Sequence, residues 1–204
     1  MLTFDHLAIS CDSLAEGVAH VEAALGVTLA PGGEHAAMGT HNRLLSLGPE
    51  EYLEVIAINP DAPGPDQPRW FDIDNFAGSP RMTNWICRCD DLETAQAVAP
   101  QGAGVPWDLE RGDLRWRMAV PADGKLPFQN CFPAMIQWQG PAHPAPRLSD
   151  HGIRMTGMTV THPEADMLRA VLAPMITDPR LTIVTGAAPA LTVDLTGPKG
   201  PVRL

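Results

Sequence analysis

The chain has little positive charge and no run of basic residues. Its 14 lysines and arginines are outnumbered by 24 aspartates and glutamates, which gives a formal net charge of -10. Nucleic acids and anionic membrane surfaces are bound by clusters of Lys and Arg. The composition therefore argues against both as partners.

Long apolar runs are also missing. No segment approaches the roughly 18 apolar residues of a membrane span, and no charged and apolar leader precedes the first predicted element. We therefore expect neither membrane insertion nor secretion, which makes the cytoplasm the default compartment. The four cysteines have no CxxC spacing, so we expect reduced, partly buried thiols rather than disulfides.

What the chain does have is an order of elements that occurs twice. Alternation and helical spacing predict a strand, a helix and three strands in residues 1–60, and the same order in residues 81–140. A connection rich in Pro, Gly and Asp at 61–80 separates the halves. After a linker at 141–153, residues 154–204 form a third, shorter β-α-β-β unit, which we interpret as a sheet extension, a cleft cover or a dimer contact.

Two polar side chains occupy strand positions that a buried sheet usually gives to aliphatic residues. Glu54 lies in the middle of an apolar strand, where an ionised carboxylate is costly unless a cation or strong donors meet it. His6 lies in the first strand, and alternation places it on the same face as Phe4 and Ala8. Histidine and glutamate on one face of a curved sheet supply half of a metal site.

Other polar residues are candidates for the same cleft. Asn42 shares the inward face of its strand, and His35 follows two glycines. Laying the strand of Arg115 and Arg117 on that of Asn42 also gives the arginines the inward face, where a guanidinium would suit a carboxylate or phosphate. The alternative for the arginines is an internal salt bridge to Glu54 or exposure at the sheet edge.

Superposing the two predicted halves extends the pattern. When the starts of the two helices are aligned, Asn84 falls opposite His6. When the last strands of the two halves are laid on each other, Gln137 falls opposite Glu54. Two such halves bring these four positions together around a pseudo-twofold axis, each half supplying one wall of a cleft. In the connecting segment, Arg69-Trp70-Phe71 is a candidate to cover this cavity or to pack on the sheet.

Six short segments stand in a fixed order along the chain. They are Asp5-His6-Leu7, Gly32-Gly33-Glu34-His35, Gly39-Thr40-His41-Asn42, Tyr52-Leu53-Glu54, Leu114-Arg115-Trp116-Arg117 and Leu126-Pro127-Phe128. Taken together they resemble the glyoxalase-like domain family of the vicinal oxygen chelate superfamily. The resemblance covers nearly the whole chain and implies an α+β fold, in which paired βαβββ modules form a curved half-barrel sheet, usually with a divalent metal ion in the cleft. In that superfamily the ligands come from the first and last strands of each module.

The leading hypothesis is a metal-dependent enzyme of this group, with isomerase, lyase and hydrolase all left open, that acts on a small oxygenated molecule whose carbonyl or enolate oxygen the metal polarises. The inward arginines would suit an anionic group on that molecule. Gln137 has no basic group, which argues against glyoxalase I chemistry, and Asn84 argues against an extradiol dioxygenase. The alternative function is a metal-free protein of the same fold that sequesters a small molecule, and a homodimer stays open in either case. The implied metal ligands are His6, Glu54 and Gln137, with His35 as acid or base and Asn42, Arg115 and Arg117 as substrate contacts.

Overall fold

The computed structural model describes residues 1–204 and shows an α+β fold with two sheets and three α-helices. None of the helices combines the length and the apolar character needed to cross a membrane. The helices are α1 (Leu14–Leu25), α2 (Leu92–Val98) and α3 (Ala165–Leu172). The strands are β1 (Thr3–Ser10), β2 (Ala30–His35), β3 (Thr40–Ser46), β4 (Tyr52–Ile58), β5 (Arg81–Arg88), β6 (Val105–Arg111), β7 (Leu114–Val120), β8 (Ala134–Trp138), β9 (Arg154–His162), β10 (Leu181–Thr185), β11 (Ala190–Gly197) and β12 (Gly200–Arg203).

The larger sheet confirms the predicted pair of βαβββ modules. Its eight strands run in the order β2-β3-β4-β1-β5-β8-β7-β6, so the first strands of the two modules lie side by side at the centre. β1 and β5 are antiparallel and pair Leu7 with Trp85, whereas within each module the first strand runs parallel to the last. The result is a curled half-barrel with pseudo-twofold symmetry between its halves.

Helix α1 shows how the sequence sets the local structure. The Ser13 side chain accepts a hydrogen bond from the Glu16 backbone N–H and so satisfies one of the free donors at the start of the helix. At the other end, Gly26 adopts a left-handed conformation with φ of 71°, which a glycine accommodates without steric cost. Both ends lie where the sequence predicts them.

The two faces of the large sheet are buried against different layers. The outer face packs against α1, α2 and the third unit in one apolar core. The third unit forms its own four-stranded sheet, in the order β10-β9-β11-β12, and does not extend the large one. The inner, concave face carries a separate apolar cluster and holds the cleft. The third unit therefore supports the sheet mainly from behind, and the Arg180 guanidinium ties it to the Glu51 carboxylate at 2.7 and 2.8 Å.

A β-bulge in β1 changes one predicted face. Phe4 pairs with Cys87 and His6 pairs with Ile86, which leaves Asp5 as the extra residue. Phe4 consequently joins the core behind the sheet, whereas Ala8 lies in the cleft-side cluster and His6 lines the cleft. The expectation that Phe4 shares a face with His6 is wrong, because simple alternation does not allow for a bulge.

Candidate active site

The cleft has one polar wall and one apolar wall. The empty space between the walls, including the part that opens to solvent, is about 390 Å³. The first module and Arg111 provide the polar wall, and the second module and the connecting segment provide the apolar one. The lining residues are His6, His35, Asn42, Tyr52, Glu54 and Arg111 on the polar side, and Trp70, Phe71, Trp116, Met118, Ile136 and Trp138 on the apolar side.

His6 is fixed by a buried carboxylate. Its Nδ1–H donates to Asp5 Oδ1 at 2.6 Å, and its ring stacks on Tyr52 with centroids 4.3 Å apart. Asp5 is fully buried, and its Oδ2 accepts hydrogen bonds from Trp138 Nε1 at 3.1 Å and His143 Nε2 at 3.2 Å. Burial raises the pKa of Asp5, but the hydrogen bonds from His143 and His6 outweigh it and hold that pKa far below its usual range. Asp5 is therefore an anion that orients the His6 ring.

Glu54 faces His6 across the polar wall. Its Oε1 accepts a hydrogen bond of 2.5 Å from the Asn42 side-chain amide, and its Oε2 lies 3.8 Å from His6 Nε2. The sequence raised the question of what compensates this buried carboxylate. In the structure the Asn42 side-chain amide donates to this carboxylate, and the His6 ring nitrogen lies nearby.

Arg111 reaches the cleft from the second module. Its Nη1 donates to His35 Nε2 at 3.2 Å and to Asn42 Oδ1 at 3.3 Å, and it forms no ion pair with a carboxylate. Burial is the main cause that lowers the pKa of His35 to about 4. His35 is therefore neutral near pH 7 and accepts from Arg111, while its Nδ1–H donates to Thr40 Oγ1 at 3.1 Å. The cleft thus holds a guanidinium whose only side-chain partners there are uncharged.

Two glycines make room for this cluster. A Cβ on Gly32 would lie 2.1 Å from Asn42 Oδ1, and a Cβ on Gly33 would lie 2.7 Å from Arg111 Cδ. The Gly33 backbone N–H also donates to Asn42 Oδ1 at 2.7 Å. The sequence indicated a sharp turn here, whereas the structure shows that the glycines allow a close approach of side chains.

Three of the residues expected in the cleft lie outside it. Gln137 sits on the outer face, where its side chain bonds to the backbone of Asp90 and Leu92 at the start of α2. Arg115 is exposed and pairs with Glu110, and Arg117 pairs with Glu93 and Asp108. The structure brings together His6, Glu54, His35 and Asn42, but it does not bring Gln137, Arg115 or Arg117 to them.

These corrections have a common cause in the register of the second module. β1 pairs Ala8 with Glu54, and β5 pairs Ile86 with Ala134, so the counterpart of Glu54 is Ala134 and not Gln137. By the same pairing Met118, opposite Ile136, takes the place of Asn42, not Arg115. The predicted register of β7 and β8 therefore differs from the observed one by three residues. Because three is an odd number, this shift moves every side chain of both strands to the other face.

The family resemblance implies a divalent ion in the cleft. Only two side chains, those of His6 and Glu54, are placed to bind such an ion. His6 Nε2 and Glu54 Oε2 face each other, and Asp5 holds the second nitrogen of His6 as carboxylates do behind metal-bound histidines. The second module offers only the aliphatic Ala134 at the position of Glu54, and no three His, Cys, Asp or Glu side chains group as an ion would need. The residues present therefore do not make a complete site for a resident divalent ion.

Sequence reasoning assigned no role to several residues that build the site. Asp5 stands beside His6 in the first segment of the resemblance, which was a usable signal. Neighbouring residues of a strand point to opposite faces, so Trp138 lies on the cleft face while Gln137 lies on the outer one. Arg111 ends β6 on the same alternation as Trp107 and Leu109, so strand parity was a usable signal for its face. His143 carries no local signal and reaches the site through tertiary packing.

Solved structures align with this chain at low sequence identity. A hypothetical protein from Staphylococcus aureus aligns with a TM-score of 0.62 and 13% identity, covering 93% of this chain and 88% of that one, and this similarity concerns the fold alone. A variant of methylmalonyl-CoA epimerase from Streptomyces coelicolor aligns with a TM-score of 0.45 and 15% identity, over 70% of this chain and 100% of that one. The epimerase from Mycobacterium tuberculosis aligns with a TM-score of 0.41 and 18% identity, over 66% of this chain and 85% of that one.

The sequence itself matches a family model. No curated protein sequence is significantly similar to this chain. The model described as a glyoxalase-like domain matches residues 4–176, which include both modules, the cleft, and β9 and α3 of the third unit. The chain therefore belongs to the glyoxalase-like domain family.

Proposed function

We propose that the cleft binds a small organic acid and moves a proton on the carbon next to its carbonyl group. The observation that carries this proposal is Arg111, the one arginine or lysine lining the cleft, whose side-chain partners there are neutral acceptors. A guanidinium in this setting matches a carboxylate bidentately. The apolar wall would then cover the remainder of the molecule.

Glu54 and His6 are suited to opposite halves of the proton transfer. Glu54 Oε2 accepts no hydrogen bond and faces His6, so it can take the proton from the carbon atom. In the imidazolium form, with Nδ1–H bonded to Asp5, His6 can give its Nε2 proton to the carbonyl oxygen, which yields the enol and leaves a neutral ring. Return of a proton to the carbon regenerates both groups. The net reaction is an isomerisation, or the first step of a lyase reaction.

His35 has a different role in this proposal. With a pKa near 4 it is a weak base and is uncharged at neutral pH. Its hydrogen bonds to Arg111 and Thr40 fix the direction of the guanidinium. We therefore assign it to positioning Arg111 rather than to acid or base catalysis.

Binding of the acid is tested at Arg111. Isothermal titration with pyruvate and 2-oxobutanoate should give binding that the Arg111→Ala variant weakens by about 10- to 150-fold, because charge-assisted hydrogen bonds each contribute about 1.5–3 kcal/mol. The matched control is Arg115→Ala, which removes an exposed arginine from the other face of the sheet. Equal affinity in Arg111→Ala and the wild type would contradict the proposal.

A metal-assisted form of the same site is the second candidate, favoured by the opposed His6 and Glu54 donors. Dialysed protein titrated with zinc, nickel, manganese and iron salts should take up no stoichiometric ion, because two protein donors beside a guanidinium hold a divalent cation weakly. Uptake of one equivalent that is lost in both His6→Ala and Glu54→Gln would establish the metal-dependent enzyme instead. Elemental analysis after dialysis gives the same comparison independently.

A further inference from the structure

Tyr52 lines the cleft beside His6 and has no part in the proposed proton transfer. It lies two residues before Glu54 on β4, and its ring stacks on the His6 imidazole with the ring planes 13° apart. The residue is buried, yet its hydroxyl forms no hydrogen bond with the rest of the protein. Buried polar groups in natural proteins usually have a partner. The missing partner of this phenol therefore needs an explanation.

The Tyr52 hydroxyl is open to the cleft and is not sealed in the core. The polar side-chain atoms that are both sealed from solvent and unpaired belong to Trp70 and Asn84 only. The unpaired Tyr52 hydroxyl consequently reaches open space, and the open space that Tyr52 lines is the cleft. A phenol is protonated at neutral pH and can both donate and accept a hydrogen bond. Tyr52 thus offers a free donor to a molecule in the cleft.

The strand register places Tyr52 at the end of the cleft away from Arg111. The Arg111 guanidinium donates to Asn42, which pairs with Ile56 of β4. Glu54 and Tyr52 follow on the same face of β4, each about 7 Å further along, because alternate residues of a strand share a face. An acid whose carboxylate binds Arg111 therefore extends past Glu54 toward Tyr52.

We infer that the Tyr52 hydroxyl binds an oxygen on carbon 3 of the acid, so that the substrate class is a 3-hydroxy-2-oxo acid. The position of the carboxylate and the proton transfer rest on the proposed function, whereas the free hydroxyl of Tyr52 does not. In this arrangement His6 meets the oxygen of carbon 2 and Tyr52 meets that of carbon 3. The stacking of the two rings fits two oxygens on adjacent carbon atoms.

A hydroxyl on carbon 3 turns the proton transfer into the isomerisation of a hydroxy ketone to a hydroxy aldehyde. Glu54 takes the proton from carbon 3, and His6 protonates the oxygen of carbon 2, which gives an enediol. Glu54 then returns its proton to carbon 2, and the hydroxyl proton on carbon 3 passes to His6. One C–H bond is broken at carbon 3 and one is formed at carbon 2. Carbon 3 becomes the aldehyde, both side chains are regenerated, and no oxidant or reductant is needed.

Calorimetric titration with hydroxypyruvate and 2-oxobutanoate tests the contact, because the two acids have nearly the same shape and differ by a hydroxyl in place of a methyl group. The wild type should bind hydroxypyruvate about 2- to 13-fold more tightly, which is the contribution of one hydrogen bond. Tyr52→Phe should lose this preference and keep its affinity for 2-oxobutanoate. Its melting temperature should match that of the wild type, because phenylalanine keeps the ring and the lost hydroxyl has no partner in the protein. An unchanged preference in Tyr52→Phe would overturn the inference.

Hydroxyacetone and butanone repeat the comparison without a carboxylate, which separates this inference from the proposed function. A preference for hydroxyacetone that Tyr52→Phe loses, together with acids that bind no better than these ketones, contradicts the role of Arg111 and supports that of Tyr52. Acids that bind through Arg111 with no preference within either pair contradict the role of Tyr52 alone. Absence of binding by all four compounds would overturn both.

The isomerisation is followed by proton NMR with hydroxypyruvate as the substrate. The wild type should form 2-hydroxy-3-oxopropanoate, and at low substrate concentration Tyr52→Phe should form it about 2- to 13-fold more slowly. Tyr52→Phe should nevertheless exchange the carbon-3 proton of 2-oxobutanoate as fast as the wild type, whereas loss of a merely structural tyrosine would slow both reactions. Exchange of 2-oxobutanoate by the wild type without any aldehyde from hydroxypyruvate would overturn the isomerisation.

Discussion

The Glu54→Gln variant should exchange the proton next to the carbonyl of a bound acid about 100- to 10,000-fold more slowly than the wild type, which is the usual contribution of a general base. Glutamine keeps the shape of the side chain and an oxygen that can accept from Asn42. What it removes is the ability to take a proton. The affinity for the acid should therefore change far less than the exchange rate.

The measurement is deuterium incorporation from D₂O into 2-oxobutanoate at carbon 3, followed by proton NMR. Glu110→Gln is the matched control, because Glu110 is an exposed carboxylate paired with Arg115 on the other side of the sheet. Exchange that is as fast in Glu54→Gln as in the wild type would remove Glu54 from the mechanism. His6→Ala should slow the exchange too, since the enol oxygen then loses its proton donor.

Replacing Asp5 with alanine should lower the free energy of unfolding by about 3–5 kcal/mol, the cost of breaking a buried charged network by removing one partner. Asp5 is fully buried and accepts from His6, Trp138 and His143. Without it those donors lose their shared acceptor. Asp113→Ala, which removes an exposed partner of Arg147, should change stability little.

The same carboxylate predicts a pH dependence. Because the pKa of Asp5 is lower in the folded chain than in the unfolded one, its stabilisation is complete above the unfolded value and is lost as the pH falls toward the folded value. Urea unfolding of the wild type should therefore show a loss of stability below about pH 4 that is smaller in Asp5→Ala. Parallel pH profiles for the two proteins would show that Asp5 is not the titrating group.

The asymmetry of the cleft bears on function. In a fold built from two similar modules, the first module supplies His6, Glu54, His35 and Asn42, whereas the second supplies mainly aromatic and aliphatic side chains apart from Arg111. One wall can thus recognise and react with a polar group while the other excludes water around it. Exclusion of water strengthens the electrostatic interactions that such chemistry needs.

Local patterns in the sequence were sufficient for the elements of both modules and for much of the first module's cleft wall, whereas the last strand, β12, was not predicted. Alternation and helical spacing predicted the repeated βαβββ order, and the capping residues predicted both ends of α1. The same alternation placed Glu54 and Asn42 on the cleft face, because within one short strand the face of each residue depends only on its parity.

Tertiary structure alone decided which residues complete the site. The register between the modules put Ala134 opposite Glu54 and sent Gln137, Arg115 and Arg117 to the outer face. Arg111 and His143 arrive from segments distant in sequence. Parity within a strand is a local property, whereas register between strands and contact across a cleft depend on loop lengths, a bulge and side-chain packing over the whole chain. The sequence by itself therefore determined the architecture and most of one wall of the cleft. Only the folded chain brought the Arg111 guanidinium to that wall.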